Sequence, residues 1–178
     1  MNKLIITIAA ALAACTAAGA QQKTLVAYFS ATGTTEKVAE SIAEACGGEL
    51  FEIVPATPYS SADLDYTDDA SRSSREMGDA SSRPALAADE LDLSGYDRVF
   101  LGYPIWWNEA PRVINSFLES HDLSGKTLIP FATSGSSSIS NSVKMLRQSY
   151  PGLAWQDGRL LNRAGASEIS AWVESLGQ

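Results

Sequence analysis

The stretch LVAYFSATGTTEKVAE, Leu25 to Glu40, changes period in its middle. With Lys23 and Thr24 before it, its first part is a continuous β-prone run, as expected of a strand buried on both faces. Thr35 to Cys46 then places Val38, Ile42 and Ala45 at helical spacing and stops at Gly47 and Gly48. Between strand and helix lie Ser30, Ala31, Thr32, Gly33, Thr34 and Thr35. A tight strand-to-helix turn of this kind gathers backbone N–H groups and up to four hydroxyls at the positive end of a helix dipole, which suits a phosphate. It contains no Lys or Arg and lacks the Gly-Lys-Ser/Thr ending of a Walker loop, so neutral donors would hold the anion. The same residues also suit a simple capped polar turn.

Outward from this unit the chain keeps alternating strand-like runs with helical periodicity, the pattern of a parallel sheet covered on both faces. Glu49 to Val54 reads as a second strand closed by Pro55 and Pro58, and Arg98 to Leu101 as a third. Pro111 then opens a helix with Val113, Phe117 and Leu118 on its buried stripe. Thr127 to Ala132 is a fourth strand, followed by a Ser/Gly loop and a helix carrying Ile139, Val143, Leu146 and Tyr150, stopped by Pro151. A weaker strand around Leu153 to Arg159 precedes a terminal helix with Ile169, Trp172, Val173 and Leu176 on one face.

Residues 56–96 form a long polar stretch between strands two and three. A crossover between parallel strands needs a helix there. The candidates are Leu86 to Leu93 and a short turn after Thr67, where Asp68 precedes Arg72 by four residues. Arg72, Arg75 and Arg83 in this stretch read as a solvated face, with contact to an anionic substrate or partner as the alternative. A connection of this length is more often functional or mobile than idle.

Composition narrows the function. A net charge of −8, with no run of four Lys or Arg, argues against nucleic-acid binding and against a polybasic membrane patch. One His and two Cys do not make a His/Cys zinc site or a disulfide framework. At the start, Met1 to Lys3 is a short basic segment, Leu4 to Ala14 is apolar apart from Thr7, and Ala18-Gly19-Ala20 offers a signal-peptidase site. Residues 1–20 therefore read as a signal peptide and residues 21–178 as one exported domain, periplasmic or extracellular. The alternative is a lipoprotein cut after residue 14, since Leu12 to Cys15 resembles a lipobox; Cys15 would then be the membrane anchor. After either cut Cys46 has no free thiol partner, and it reads as a small buried hydrophobe at a helix end. His121 reads as a surface residue between a helix and a strand.

Several further motifs carry a family resemblance. Leu25 to Glu40 resembles the FMN phosphate loop of flavodoxins. The likeness continues through Gly102 to Trp107 with Pro111, Phe117 and Leu118, through Asp122 to Lys126, and through Pro130 to Gly135. Together these resemble a bacterial flavodoxin-like subfamily over essentially the whole exported part. The resemblance implies a flavodoxin-like three-layer α/β/α sandwich whose five-stranded parallel sheet has the order 2-1-3-4-5, with FMN at the switch point. It implies that Ser30, Thr32, Gly33, Thr34 and Thr35 bind the phosphate. Pro104, Ile105, Trp106, Trp107 and Asn108 would flank the isoalloxazine ring, and Thr133, Ser134, Gly135 and Ser136 would close its other side.

Adjacent side chains on extended backbone face opposite ways, so one of Trp106 and Trp107 is expected to stack on the ring while its neighbour packs inward. A backbone amide within Trp107 to Glu109 is expected near the flavin N5, so that Asn108→Pro would shift the flavin potentials. Asn108 stands where relatives usually carry Gly, and it tolerates positive φ less well than Gly does. The implied function is an FMN-binding redox protein, either an electron carrier for a partner protein or a reductase of quinone-like acceptors. No Gly-x-Gly-x-x-Gly nucleotide fingerprint is present. The competing class is an exported binding module that keeps the scaffold without flavin. Scarce metal ligands fit the first class, because electrons would then travel on a bound organic cofactor.

Overall fold

The computed structural model describes residues 23–87 and 91–177. The signal-peptide and lipobox readings lie outside these residues. The strands are β1 (Thr24–Tyr28), β2 (Glu49–Glu52), β3 (Arg98–Pro104), β4 (Thr127–Thr133), β5 (Ala154–Trp155) and β6 (Arg159–Leu160). The helices are α1 (Thr34–Cys46), α2 (Arg72–Gly78), α3 (Arg112–Ser120), α4 (Ser140–Ser149) and α5 (Ala166–Ser175). The sheet runs β2-β1-β3-β4-β5 with every pairing parallel, and β6 also pairs with β4. This is the 2-1-3-4-5 order expected from the sequence.

Strand alternation divides the core into two layers, because successive side chains leave opposite faces of the sheet. Leu25, Val99, Leu101 and Leu128 join the stripes of α3 and α4 on one face. Val26, Phe100, Ile129 and Phe131 join α1 and α5 on the other. β2 is the exposed edge, and its Glu49 and Glu52 discourage further strand addition there. Gly102 lies under the Phe131 ring, where an added Cβ would stand 2.1 Å from the ring Cζ.

The fifth strand position is occupied by two short pieces rather than one continuous run, and Pro130 explains the gap. Gln156 N–H donates to Leu128 O and Leu161 N–H to Ala132 O, so alternate β4 residues face this edge. Pro130 lies between them and has no N–H to offer. Opposite it, Gly158 packs so closely that an added Cβ would come 3.0 Å from Pro130 O and 2.8 Å from Ile139 Cδ1.

In the long segment the helix is α2, near the expected turn after Thr67. Its N-cap is Ser71, whose Oγ accepts from Ser74 N–H. The other expected helix, Leu86 to Leu93, is corrected in its described part. Leu86 forms an antiparallel bridge with Pro55, and residues 91–93 have no regular structure. Residues 88–90 lie outside the described residues.

Arg72 does not pair with Asp68. Its Nε meets Glu76 Oε1 at 2.6 Å, its Nη1 donates to Thr57 O, and it stacks over Tyr59. Arg75 donates to Ala70 O, and Arg83 makes two hydrogen bonds to Glu119, so these arginines hold the segment together. Arg112 joins α2 to α3, donating to Met77 O and pairing with Glu109. Elsewhere Asp65, Asp68 and Asp79 form Asx turns, each accepting from the backbone N–H two residues on, and Asp63 and Ser60 each accept from the other's backbone N–H.

His121 is half-buried rather than a surface group. It caps α3, its Nδ1 lies 2.9 Å from Phe117 O, and its ring packs on Phe117 and Phe51. Cys46 ends α1 half-buried, and burial pushes its thiol pKa up.

Candidate functional site

Three loops leave the carboxyl ends of β1, β3 and β4 at the same sheet edge. The first loop enters α1 through Gly33, whose φ of +79° is the left-handed conformation that favours a residue without Cβ. Among the described residues no side chain caps α1, so its first-turn N–H groups face the loop. Thr32 Oγ1 and Thr34 Oγ1 lie 3.4 Å apart on the exposed side. Thr35 is buried, and its hydroxyl meets the Thr133 hydroxyl at 2.9 Å, which fastens the first loop to β4. Ser30 Oγ is buried with no hydrogen-bond partner among the described residues.

The β3 loop is a two-residue hairpin. Trp106 and Glu109 exchange N–H···O bonds of 3.0 and 2.9 Å, and Trp107 and Asn108 take φ of +47° and +65°. Positive φ at both central positions is the type I′ turn, which normally takes Asn-Gly. Asn108, standing where relatives usually carry Gly, takes positive φ; Trp107 adopts it as well, which is unusual for a bulky side chain and marks stored strain. Ile105 N–H donates to Thr133 O and Asn141 Nδ2 to Asn108 O, so the hairpin is held from both sides. Glu109 N–H is engaged inside the turn, whereas those of Trp107 and Asn108 have no partner among the described residues.

The two tryptophans have different surroundings, but Trp107 lies in the left-handed turn, so alternation along extended backbone is not what separates them. Trp106 packs edge-on against Phe29 and Tyr59, with ring centroids 5.6 and 5.2 Å away. Tyr59 donates to Glu76 at 2.5 Å, and burial followed by this bond raises its pKa, so the phenol stays protonated. Trp107 is 47% exposed at the rim. In the β4 loop Ser134 Oγ accepts from Ser136 and Ser137 N–H, folding the turn on itself. The Asn162 amide holds Ser134 by both its backbone N–H and its carbonyl.

Between the loops runs a cleft with two lobes that share Thr32, Thr34, Pro104, Ile105, Trp106, Thr133, Ser134 and Gly135. One lobe, about 630 Å³, adds Ser30, Thr35, Trp107, Asn108 and Ser136, with Leu64, Tyr66 and Ser73 from the long segment. The other, about 770 Å³, adds Leu160, Asn162, Arg163, Ala164 and Glu168. Apart from Gly33, which shapes the first loop, every expected site residue lines the cleft. The sequence reading missed Leu64, Tyr66, Ser73, and Leu160 of β6 with the residues that follow it. Only the change from strand to helix near residue 162 hinted at the latter, and nothing in the sequence pointed Tyr66, 77% exposed, at this cleft.

The flavodoxin family model matches residues 23–176. The chain belongs to the flavodoxin family. It resembles crystal structures of two candidate flavoproteins, from Bacteroides uniformis (57% identity, TM-score 0.85, covering 86% of this chain and 98% of that one) and Bacteroides eggerthii (54%, 0.84, 88% and 98%). A flavoprotein from Lactobacillus acidophilus in complex with FMN shares the fold at 24% identity and TM-score 0.65, covering 85% of this flavodoxin and 98% of its own chain. A search of curated proteins found no match.

Proposed function

We propose that this flavodoxin binds FMN in the cleft and serves as a redox protein, carrying electrons to a partner protein or reducing a quinone-like acceptor. The observation that carries this reading is the Ser30 hydroxyl, buried without a partner among the described residues beside the uncapped first turn of α1. A buried polar atom left unpaired costs free energy, and a ligand oxygen relieves that cost. The donors around it, Thr32, Thr34 and the first-turn N–H groups, suit a phosphate. The FMN held by the Lactobacillus acidophilus flavoprotein of the same fold is consistent with this reading.

When bound, FMN would supply reversible uptake of one or two electrons. The chain's own residues do the rest. Ser30, Thr32, Gly33, Thr34 and Thr35 would hold the phosphate, while Pro104, Ile105 and the exposed Trp107 ring offer a surface for a flat heteroaromatic group. Trp106, held edge-on by Phe29 and Tyr59, lines the same cleft. The free N–H groups of Trp107 and Asn108 are the backbone donors available to the ring, and the hairpin bonds hold them in place. Ser134, Gly135 and Ser136 close the opposite wall. Export through residues 1–20, or anchoring through Cys15, belongs to the same proposal.

The test is to strip the purified full chain of flavin, add FMN, and follow flavin fluorescence and the visible absorption spectrum. Quenching with a perturbed spectrum at micromolar flavin is expected. No binding at that concentration refutes this reading and favours a flavin-free binding module. Bleaching of the bound flavin by reduced nicotinamide and its reoxidation by quinones would mark a reductase; inertness to both would mark a carrier.

A further inference from the structure

The phosphate loop contains no cation, yet the chain as a whole carries −8. A dianion bound by neutral donors alone would add to that like charge. Arg163 is the one cation that lines either lobe among the described residues. It shares its lobe with Thr32 and Thr34 of the phosphate loop.

Every other arginine makes a hydrogen bond or ion pair within the protein. Arg163 makes none among the described residues and is exposed. Glu168, the acidic residue of the same lobe, is already matched by Arg159 at 2.9 Å. The guanidinium is therefore free to take an external anion.

Its position is also fixed. Leu161 N–H is bonded to Ala132 O, and the next residue, Asn162, grips the Ser134 backbone from both sides. Three residues after Arg163, α5 begins and packs its Ile169, Trp172 and Val173 with Val38 and Ile42 of α1. The backbone of Arg163 is thus tied to the β4 loop and, through α5, to α1, the helix that directly follows the phosphate loop.

We propose that Arg163 supplies the positive charge that holds the FMN phosphate, a role absent from the phosphate loop itself. The inference rests on the FMN reading above. A planar guanidinium offers paired donors to phosphate oxygens, and at a solvent-open site its contribution is screened by salt.

The experiment measures FMN and riboflavin affinities of the full chain by fluorescence quenching for wild type, Arg163→Gln and Arg163→Lys, at low and high salt. Arg163→Gln should weaken FMN roughly tenfold, the scale of one charge-assisted hydrogen bond, and leave riboflavin unchanged. Arg163→Lys should keep part of the FMN affinity, and added salt should weaken FMN binding more in wild type than in Arg163→Gln. Equal FMN affinity of wild type and Arg163→Gln overturns the inference, as does an equal loss for FMN and riboflavin. Wild type binding neither flavin would instead overturn the FMN reading itself, and Arg163's role with it.

Discussion

The hairpin at the cleft gives Asn108 a backbone geometry that decides the sign of its substitutions. At φ +65° a side chain with a Cβ crowds the following carbonyl. That crowding costs about 1–2 kcal/mol for an ordinary residue and less for Asn. Gly avoids it, but loses about 0.5–1 kcal/mol more in chain entropy on folding. The Asn108 side chain makes no hydrogen bond among the described residues; only its carbonyl is used, accepting from Asn141.

The difference leaves Asn108→Gly more stable than Asn108→Ala by about 0.5–1 kcal/mol, with wild type between them. For a domain of this size that separates the two melting temperatures by roughly 1–4 °C. Thermal melts of the apoproteins followed by far-UV circular dichroism measure the gap. If Asn108→Ala melts at or above Asn108→Gly, the left-handed turn is not the one described here. Asn108→Pro belongs in the same series for another reason. Proline fixes φ near −65° and is incompatible with this turn, so it would dismantle the Trp106 to Glu109 pairing rather than report on a flavin contact.

Ser30→Ala removes a buried hydroxyl that has no partner, so urea unfolding of the apoprotein should show unchanged stability or a gain of up to about 1 kcal/mol. FMN binding by the same variant should weaken by roughly tenfold in a fluorescence titration; a less stable apoprotein would contradict the unpaired hydroxyl. Gly102→Ala drives a methyl into the Phe131 ring and should cost about 1–3 kcal/mol in urea unfolding. Adding Phe131→Leu should recover part of that loss, and strict additivity of the two changes would deny the contact. The Arg83 hydrogen bonds hold the Glu119 carboxyl below its ordinary 4.5. Its contribution to stability is therefore present above that value and lost as pH falls through the lowered folded value. Arg83→Gln should narrow the stability difference between about pH 6 and about pH 3, measured by urea midpoints, and an unchanged difference would exclude this pair as a source of acid sensitivity.

Much of the fold and the cleft was legible in the chain because local physics wrote it there. The run Leu25 to Phe29, the turn at Gly33 and the stripe Val38, Ile42 declare a buried strand, a tight polar turn and a helix whatever surrounds them. The alternation of such units requires a parallel sheet with its loops at one edge. Residues 56–96 were far less legible because their order comes from side chains bonding to distant backbone, as when Arg112 donates to Met77 O and Arg72 to Thr57 O. The break in the fifth strand also depended on a partner, since Pro130 opens a gap only in whatever strand lies beside it.

The same division holds at the site. The sequence placed Ser30 to Thr35, Pro104 to Asn108 and Thr133 to Ser136 after three strands of one parallel sheet, and the flavodoxin resemblance implied the 2-1-3-4-5 order that makes those strands neighbours. Only the tertiary structure decided that Trp106 faces Phe29 and Tyr59 while Trp107 faces solvent, that Thr35 ties to Thr133, and that Asn162 and Arg163 complete the cleft. Those outcomes depend on packing between residues far apart in sequence, and no local periodicity encodes such a contact.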